Sequence, residues 1–262
     1  MTKSIVITSG KGGVGKTTVA TNLARRLATI NFRVLVVDAD FGLNNLDMSF
    51  GLERDVVYDL ADVLDGRCRL KQALLQDKHL NNLYVLPSDK LYLKNSVTSE
   101  SIKVAISVVG KLFDYIIIDS PAGIDEGFIR AIACADSALV VITPGAFSLR
   151  DADKVISVLK SYKMNEIGLV VNRVRGDLLL NKKCFDWREI EEVLKQEVVG
   201  VIPDSDEILE ENGRPLPKKC EANKAFCMLA KNIINNRKDI FDATKKYRGF
   251  LGSIRRSLRG GI

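Results

Sequence analysis

Gly10-Lys11-Gly12-Gly13-Val14-Gly15-Lys16-Thr17-Thr18 is the stretch on which the reading of this chain turns. A β-branched run, Ser4-Ile5-Val6-Ile7-Thr8, precedes it, and Val19, Ala20, Leu23, Ala24 and Leu27 follow at helical spacing. A strand therefore runs into a glycine-rich turn and out into a helix, the setting in which G-x-x-x-x-G-K-[ST] binds phosphate. Triphosphate oxygens need many N–H donors at close range, and glycines let the backbone come that near. The helix opening at Lys16 adds its positive end. Lys16 is placed to reach the β- and γ-phosphates, and the Thr17 hydroxyl to ligate Mg²⁺. Gly10, Lys11, Gly12, Gly13, Val14, Gly15, Lys16, Thr17 and Thr18 form the candidate nucleotide cradle.

Working outward, further apolar runs read as strands: 33–40, 82–87, 114–119, 137–143, 167–172 and 198–203. Helices are predicted over about 101–113 and 148–162, with short helical patterns over 60–75 broken at Gly66 and a loop over 41–45. Strands that are apolar throughout and alternate with helices predict an α/β, doubly wound, mostly parallel sheet with helices on both faces. Nucleotide then sits at the carboxyl ends of the strands. The ATPase-type domain is expected over 1–237, with a tail over 238–262.

Three aspartates are expected at that edge. Asp38 and Asp40 end one strand, and Asp119 closes Tyr115-Ile116-Ile117-Ile118-Asp119, a Walker B arrangement. Thr17, Asp38 and Asp119 are the candidate Mg²⁺ ligands, directly or through water. No side chain here is an obvious strong base, which suits phosphoryl transfer, where positioning and charge compensation dominate. The absence of an N-K-x-D element points to ATP rather than GTP.

The chain has 262 residues and a formal net charge of +6, a balance that favours anionic partners without choosing among them. Five scattered cysteines and a single histidine, His79, argue against a zinc site or a disulfide framework, and free thiols in a reducing, cytosol-like compartment are expected. No apolar run approaches the ~20 residues that span a bilayer.

The far end is basic and amphipathic. On a helical wheel with Tyr247 at zero, Phe250, Leu251, Ile254 and Leu258 fall within an arc of about 100°, while Arg248, Arg255, Arg256, Arg259 and Lys245 lie off it. A basic amphipathic helix over about 245–259 reads as an in-plane membrane anchor. Gly249 and Gly252 weaken it in isolation, so order is expected on lipid.

Lys11 sits among the glycines, where most phosphate loops have no second lysine. The K-G-G-V-G-K-T-T signature, together with Asp119-Ser120-Pro121-Ala122-Gly123 as D-x-P-A-G, resembles the ParA/MinD family of deviant Walker A ATPases, and the tail resembles that of its septum-positioning branch. The resemblance implies that Lys11 reaches the nucleotide of a partner subunit in an ATP-bound homodimer. It implies that Asp40 is a switch I residue placing the attacking water, with Lys11, Lys16 and Asp40 as the catalytic set. Asp119, Ser120, Pro121, Ala122 and Gly123 become switch II. It implies that Asn172 hydrogen-bonds adenine and that Pro203 and Asp204 line the other side of the base. Ser148–Asp153 resembles the start of the helix that receives regulators. The implied cofactors are ATP and Mg²⁺. The implied partners are a MinC-type inhibitor, a MinE-type activator and an anionic membrane surface at the cytoplasmic face of a bacterial inner membrane or a plastid envelope. No specific nucleic acid is expected. A DNA-partitioning ATPase shares the core without this tail. A nitrogenase-reductase type needs paired cluster cysteines, and Cys134 has no suitable partner.

Overall fold

The structure, a computed structural model, describes residues 2–40, 46–88, 98–210 and 213–259, without the side chains of Leu251, Arg255, Ser257, Leu258 and Arg259. In chain order it runs β1 (Lys3–Thr8), α1 (Lys16–Thr29), β2 (Val34–Asp38), α2 (Leu46–Phe50), α3 (Leu60–Leu64), α4 (Leu70–Ala73), β3 (Leu75–Gln76), β4 (Leu83–Leu86), α5 (Ser99–Gly110) and β5 (Tyr115–Asp119). It continues with α6 (Glu126–Ile132), β6 (Ser137–Ile142), α7 (Ala146–Ser161), β7 (Glu166–Val174), α8 (Gly176–Leu180), α9 (Trp187–Leu194), β8 (Val198–Pro203), α10 (Asp206–Leu209), α11 (Glu221–Asn235), a 3₁₀ turn (Lys245–Tyr247) and α12 (Gly249–Arg259).

The strands form one eight-stranded sheet in the order β3-β4-β2-β5-β1-β6-β7-β8. Every pairing is parallel except β3 with β4. Side chains alternate across the sheet, so each strand feeds two cores. Ile5, Ile7, Val34, Val36 and Ile117 pack with Leu23 and Leu27 of α1 and Phe226 and Leu229 of α11. Val6, Leu35, Val37, Ile116 and Ile118 pack on the other face with Ile106 of α5 and Ile156 and Leu159 of α7. Burial on both faces explains why these strands carry no polar alternation. β1 lies between β5 and β6, so the chain winds away from it in both directions. The crevice at its carboxyl end is where ligands bind in such sheets.

The predicted strands are present, with β7 longer than expected. The helix expected over 101–113 begins earlier, because Thr98 caps it: the Thr98 hydroxyl oxygen accepts from the Ser101 N–H at 3.1 Å. The loop expected over 41–45 lies outside the described residues. The sequence reading assigned no element to α6, α9 or α11, although Ala222, Ala225, Phe226, Leu229 and Ala230 of α11 are buried at helical spacing.

The tail needs correction. Residues 238–247 stay on the domain. Asn232 and Asp239 exchange hydrogen bonds at 2.9 and 3.0 Å, Lys246 pairs with Glu221, and Ala243 is buried. The helical path is interrupted at Arg248-Gly249, where Gly249 has φ +72°. One helix over 245–259 is therefore replaced by the 3₁₀ turn and then α12. Tyr247, expected on a lipid-facing arc, is 3% exposed and anchors the turn instead. Gly252 packs onto its backbone, leaving no room for a Cβ.

Candidate active site

The loop after β1 is shaped by two left-handed glycines, Gly13 at φ +78° and Gly15 at φ +95°. A Cβ at Gly15 would also collide with Nδ2 of Asn172. Space is open in front of Gly12 and Gly13, where a Cβ would meet nothing within 4 Å. α1 opens at Lys16 immediately behind this cradle, its first turn bonded from Val19 N–H to the Gly15 carbonyl at 3.0 Å. Open space before a row of backbone N–H groups at a helix start suits a polyphosphate.

β2 and β5 are neighbours in register, which sets Asp38 directly beside Asp119. The Thr17 hydroxyl donates to Oδ2 of Asp119 at 2.6 Å. Both aspartates are buried, and Oδ2 of Asp38 and Oδ1 of Asp119 have no hydrogen-bond partner. Burial pushes the Asp119 carboxyl up to about 7, against the pull of the Thr17 hydrogen bond and the Lys16 ammonium. Asp38 is also pushed up, first by burial and then by the charge of Asp119. Two buried carboxylates with orphaned oxygens, a hydroxyl bonded to one of them and a lysine nearby are an incomplete electrostatic set. A divalent cation held by Thr17, Asp38 and Asp119 completes it, so the residues fit Mg²⁺ with a nucleotide.

Comparison with known proteins agrees. A profile of the AAA domain family matches residues 2–169. The septum site-determining protein MinD of Bacillus subtilis is 40% identical over 261 residues, covering 97% of this chain and 97% of that protein. The chain belongs to the MinD family of P-loop ATPases. Among solved structures, a chain of the MinC:MinD cell division protein complex of Aquifex aeolicus superposes with a TM-score of 0.83 at 38% identity, covering 89% of this chain and 96% of that one. The Pyrococcus horikoshii septum site-determining protein MinD, complexed with Mg-ADP, gives a TM-score of 0.80 at 30% identity, covering 89% and 96%.

Within this MinD-family frame the remaining site residues fall as follows. Lys11 is exposed, and its side chain makes no hydrogen bond or ion pair among the described residues; the Ser9 hydroxyl donates to its carbonyl at 2.8 Å. Asp40 is half-buried, and its N–H donates to Oδ1 of Asp38 at 2.9 Å, so these two aspartates are linked through backbone. In the segment 119–123, expected to be switch II, the Ser120 N–H donates to the Ile7 carbonyl at 3.1 Å and the Gly123 N–H to the Ser9 carbonyl at 3.0 Å. Pro121 and Ala122 bridge these two anchors, one on β1 and one just after it. Asn172 is buried at the end of β7. Its Nδ2 donates to the Val14 carbonyl at 2.8 Å and fixes the phosphate loop, while Oδ1 stays unpartnered. Pro203 ends β8, and Asp204 N–H donates to the Val174 carbonyl at 3.0 Å. In the tail, Phe250 is 83% exposed and Ile254 46% exposed, Arg248 is exposed and Arg256 is half-buried. Leu251, Arg255 and Leu258 have side chains outside the described set.

Some working residues escaped the sequence reading. Ser9 bonds both to the loop, at the Lys11 carbonyl, and to the Gly123 N–H. The backbone of Asp151 on α7 presses against Gly10, which leaves no room there for a side chain. The buried, unpartnered Thr8 hydroxyl also faces this end of β1. Nothing in a lone serine or threonine at a strand end signals such a role.

Proposed function

We propose that this chain hydrolyses ATP with Mg²⁺ as a nucleotide-dependent homodimer, and that in this form it holds a membrane surface and helps to place the division septum. The observation that carries the reading is the Thr17–Asp119–Asp38 cluster directly behind an open phosphate cradle. Thr17, Asp38 and Asp119 would hold Mg²⁺, which would supply charge compensation to the phosphates. The loop N–H groups and Lys16 orient the triphosphate. Asp40 positions the attacking water, and switch II, tethered to Ser9 at Gly123, senses the terminal phosphate through its backbone. The arrangement lacks a strong base, so turnover is slow until a partner completes it. Lys11, exposed and unpaired among the described residues, is available to a second subunit's nucleotide. Oδ1 of Asn172, together with Pro203 and Asp204, is assigned to the adenine. α12, with Phe250 and Ile254 open to solvent, is assigned to an anionic leaflet.

No described helix is long and apolar enough to cross a membrane, which suits attachment through α12. The relative in the MinC:MinD complex suggests an inhibitor partner of that type, and a MinE-type activator is assigned by family membership. α7 is the natural receiver, because Asp151 at its start lies against Gly10 of the loop. Phosphate release and sedimentation velocity test this together. Mg-ATP is expected to give turnover and a dimer, and Mg-ADP a monomer. A monomer in both nucleotides, or no phosphate release, overturns it.

A further inference from the structure

A cavity of about 200 Å³ lies between the two switches, lined by Ala39, Asp40, Pro121, Asp125, Gly127 and Arg130, with Glu126 at its rim. That volume holds roughly six waters. Among the described residues, Arg130 is the one cation in its wall. The side chain is only 12% exposed, and its Nε is buried without a hydrogen-bond acceptor. Its ion-pair partner is Glu126 at 3.7 Å, beyond hydrogen-bond range, and that carboxylate is 90% exposed. A guanidinium so enclosed and so loosely paired is set for an acceptor it does not touch in this conformation.

The two ends of the cavity are carried by the elements to which the proposed function assigns the sensing of nucleotide. Asp40 follows β2 and is tied by backbone to Asp38. Arg130 sits one turn into α6, whose start is packed against switch II: a Cβ at Gly127 would lie 2.8 Å from Cγ of Pro121. α6 therefore travels with Pro121. The separation of Arg130 and Asp40 reports the positions of both switches at once.

We propose that Arg130 is a positioning residue for ATP hydrolysis: when both switches are in place, its guanidinium closes across the cavity onto the Asp40 carboxylate and holds it in the orientation that places the water. The inference rests on the role assigned to Asp40 above. It adds an internal positioner, carried on α6, to a reaction otherwise described by the phosphate loop and the aspartates. Asp125 and Glu126 are the competing carboxylates. Both are exposed, so their pull on Arg130 is screened, whereas Asp40 is half-buried.

A double-mutant cycle tests it with the full-length chain, Mg-ATP and phosphate release. Arg130→Gln is expected to lower kcat by about ten-fold with KM for ATP and the Mg-ATP dimer unchanged, and Arg130→Lys to restore part of the loss. Asp40→Asn lowers kcat on its own. The double variant is expected to be no slower than Asp40→Asn, because both changes break one contact. Multiplying effects in the double variant, or an Arg130→Gln enzyme with full kcat, overturn the inference while leaving Asp40 in its role. An Asp40→Asn enzyme with full kcat overturns the role of Asp40 itself. If Arg130→Gln lowers the melting temperature, the Arg130→Lys enzyme decides: a loss of kcat in a chain that melts as the wild type supports the contact, and unchanged kcat refutes it.

Discussion

Asp119→Asn is expected to stabilise the nucleotide-free protein while ending its Mg²⁺-dependent chemistry. The folded chain holds the Asp119 carboxyl at about 7, whereas an exposed aspartate titrates near 3.8. Between those values the folded state binds a proton that the unfolded state has lost, so the stability of the wild type falls as pH rises from about 4 to about 7. The gap corresponds to roughly 4 kcal/mol at pH 8. Asparagine carries no charge, and its Oδ1 can still accept from Thr17. For a chain of this size each kcal/mol moves the melting temperature by about 2–4 °C, so a rise of roughly 8–16 °C is expected at pH 8 without Mg²⁺. The advantage should shrink through the neutral range and vanish below about pH 4. Mg-ATP should reverse the order, because the wild type then has a cation for its carboxylates. Thermal melts across pH, with and without Mg-ATP, provide the measurement. A variant less stable than the wild type at pH 8, or a gain that ignores pH, refutes the argument that the buried carboxylates await a cation.

Lys16→Ala should lose phosphate release by at least a hundred-fold, since the charge on the β- and γ-phosphates goes with it; turnover near that of the wild type would contradict its placement. Lys11→Ala should keep its fold and melt normally yet remain a monomer by size exclusion with Mg-ATP, and a normal dimer would end the cross-subunit assignment. Gly15→Ala combines a strained φ of +95° with a collision at Asn172, so weaker nucleotide binding is expected by fluorescence titration, and unchanged affinity would show that the loop adapts.

The sheet and its phosphate loop were legible because their signals are local. A glycine-rich turn between an apolar strand and an amphipathic helix has few other uses, and fully apolar strands leave little choice but a covered parallel sheet. The Asp38–Asp119 pairing was readable as two strand-ending carboxylates, though their registry is a tertiary fact. The tail misled because a helical wheel asks only about periodicity: Tyr247 fits the arc, but the contacts that bury it come from elements far away in sequence. Asn172 showed the same limit. Its strand end was evident, but only the fold reveals that Nδ2 is already spent on the Val14 carbonyl. Arg130 carried no motif at all, since its setting is created by α6 packing on switch II.

The tail bears most directly on the central claim. On the proposed role, one α12 would present the exposed Phe250 and Ile254 to a bilayer and gain about 1 kcal/mol per nearby arginine on an anionic leaflet, partly offset by ordering costs. One copy should therefore bind weakly, and two copies on an ATP dimer should bind more tightly by roughly 10²–10⁴-fold. Co-sedimentation with anionic vesicles at about 0.15 M salt, comparing Mg-ATP with Mg-ADP, measures this directly. The account predicts strong recruitment with Mg-ATP, weak recruitment with Mg-ADP, and loss of both in Phe250→Glu with ATP binding intact. Equal vesicle affinity in the two nucleotides would contradict it.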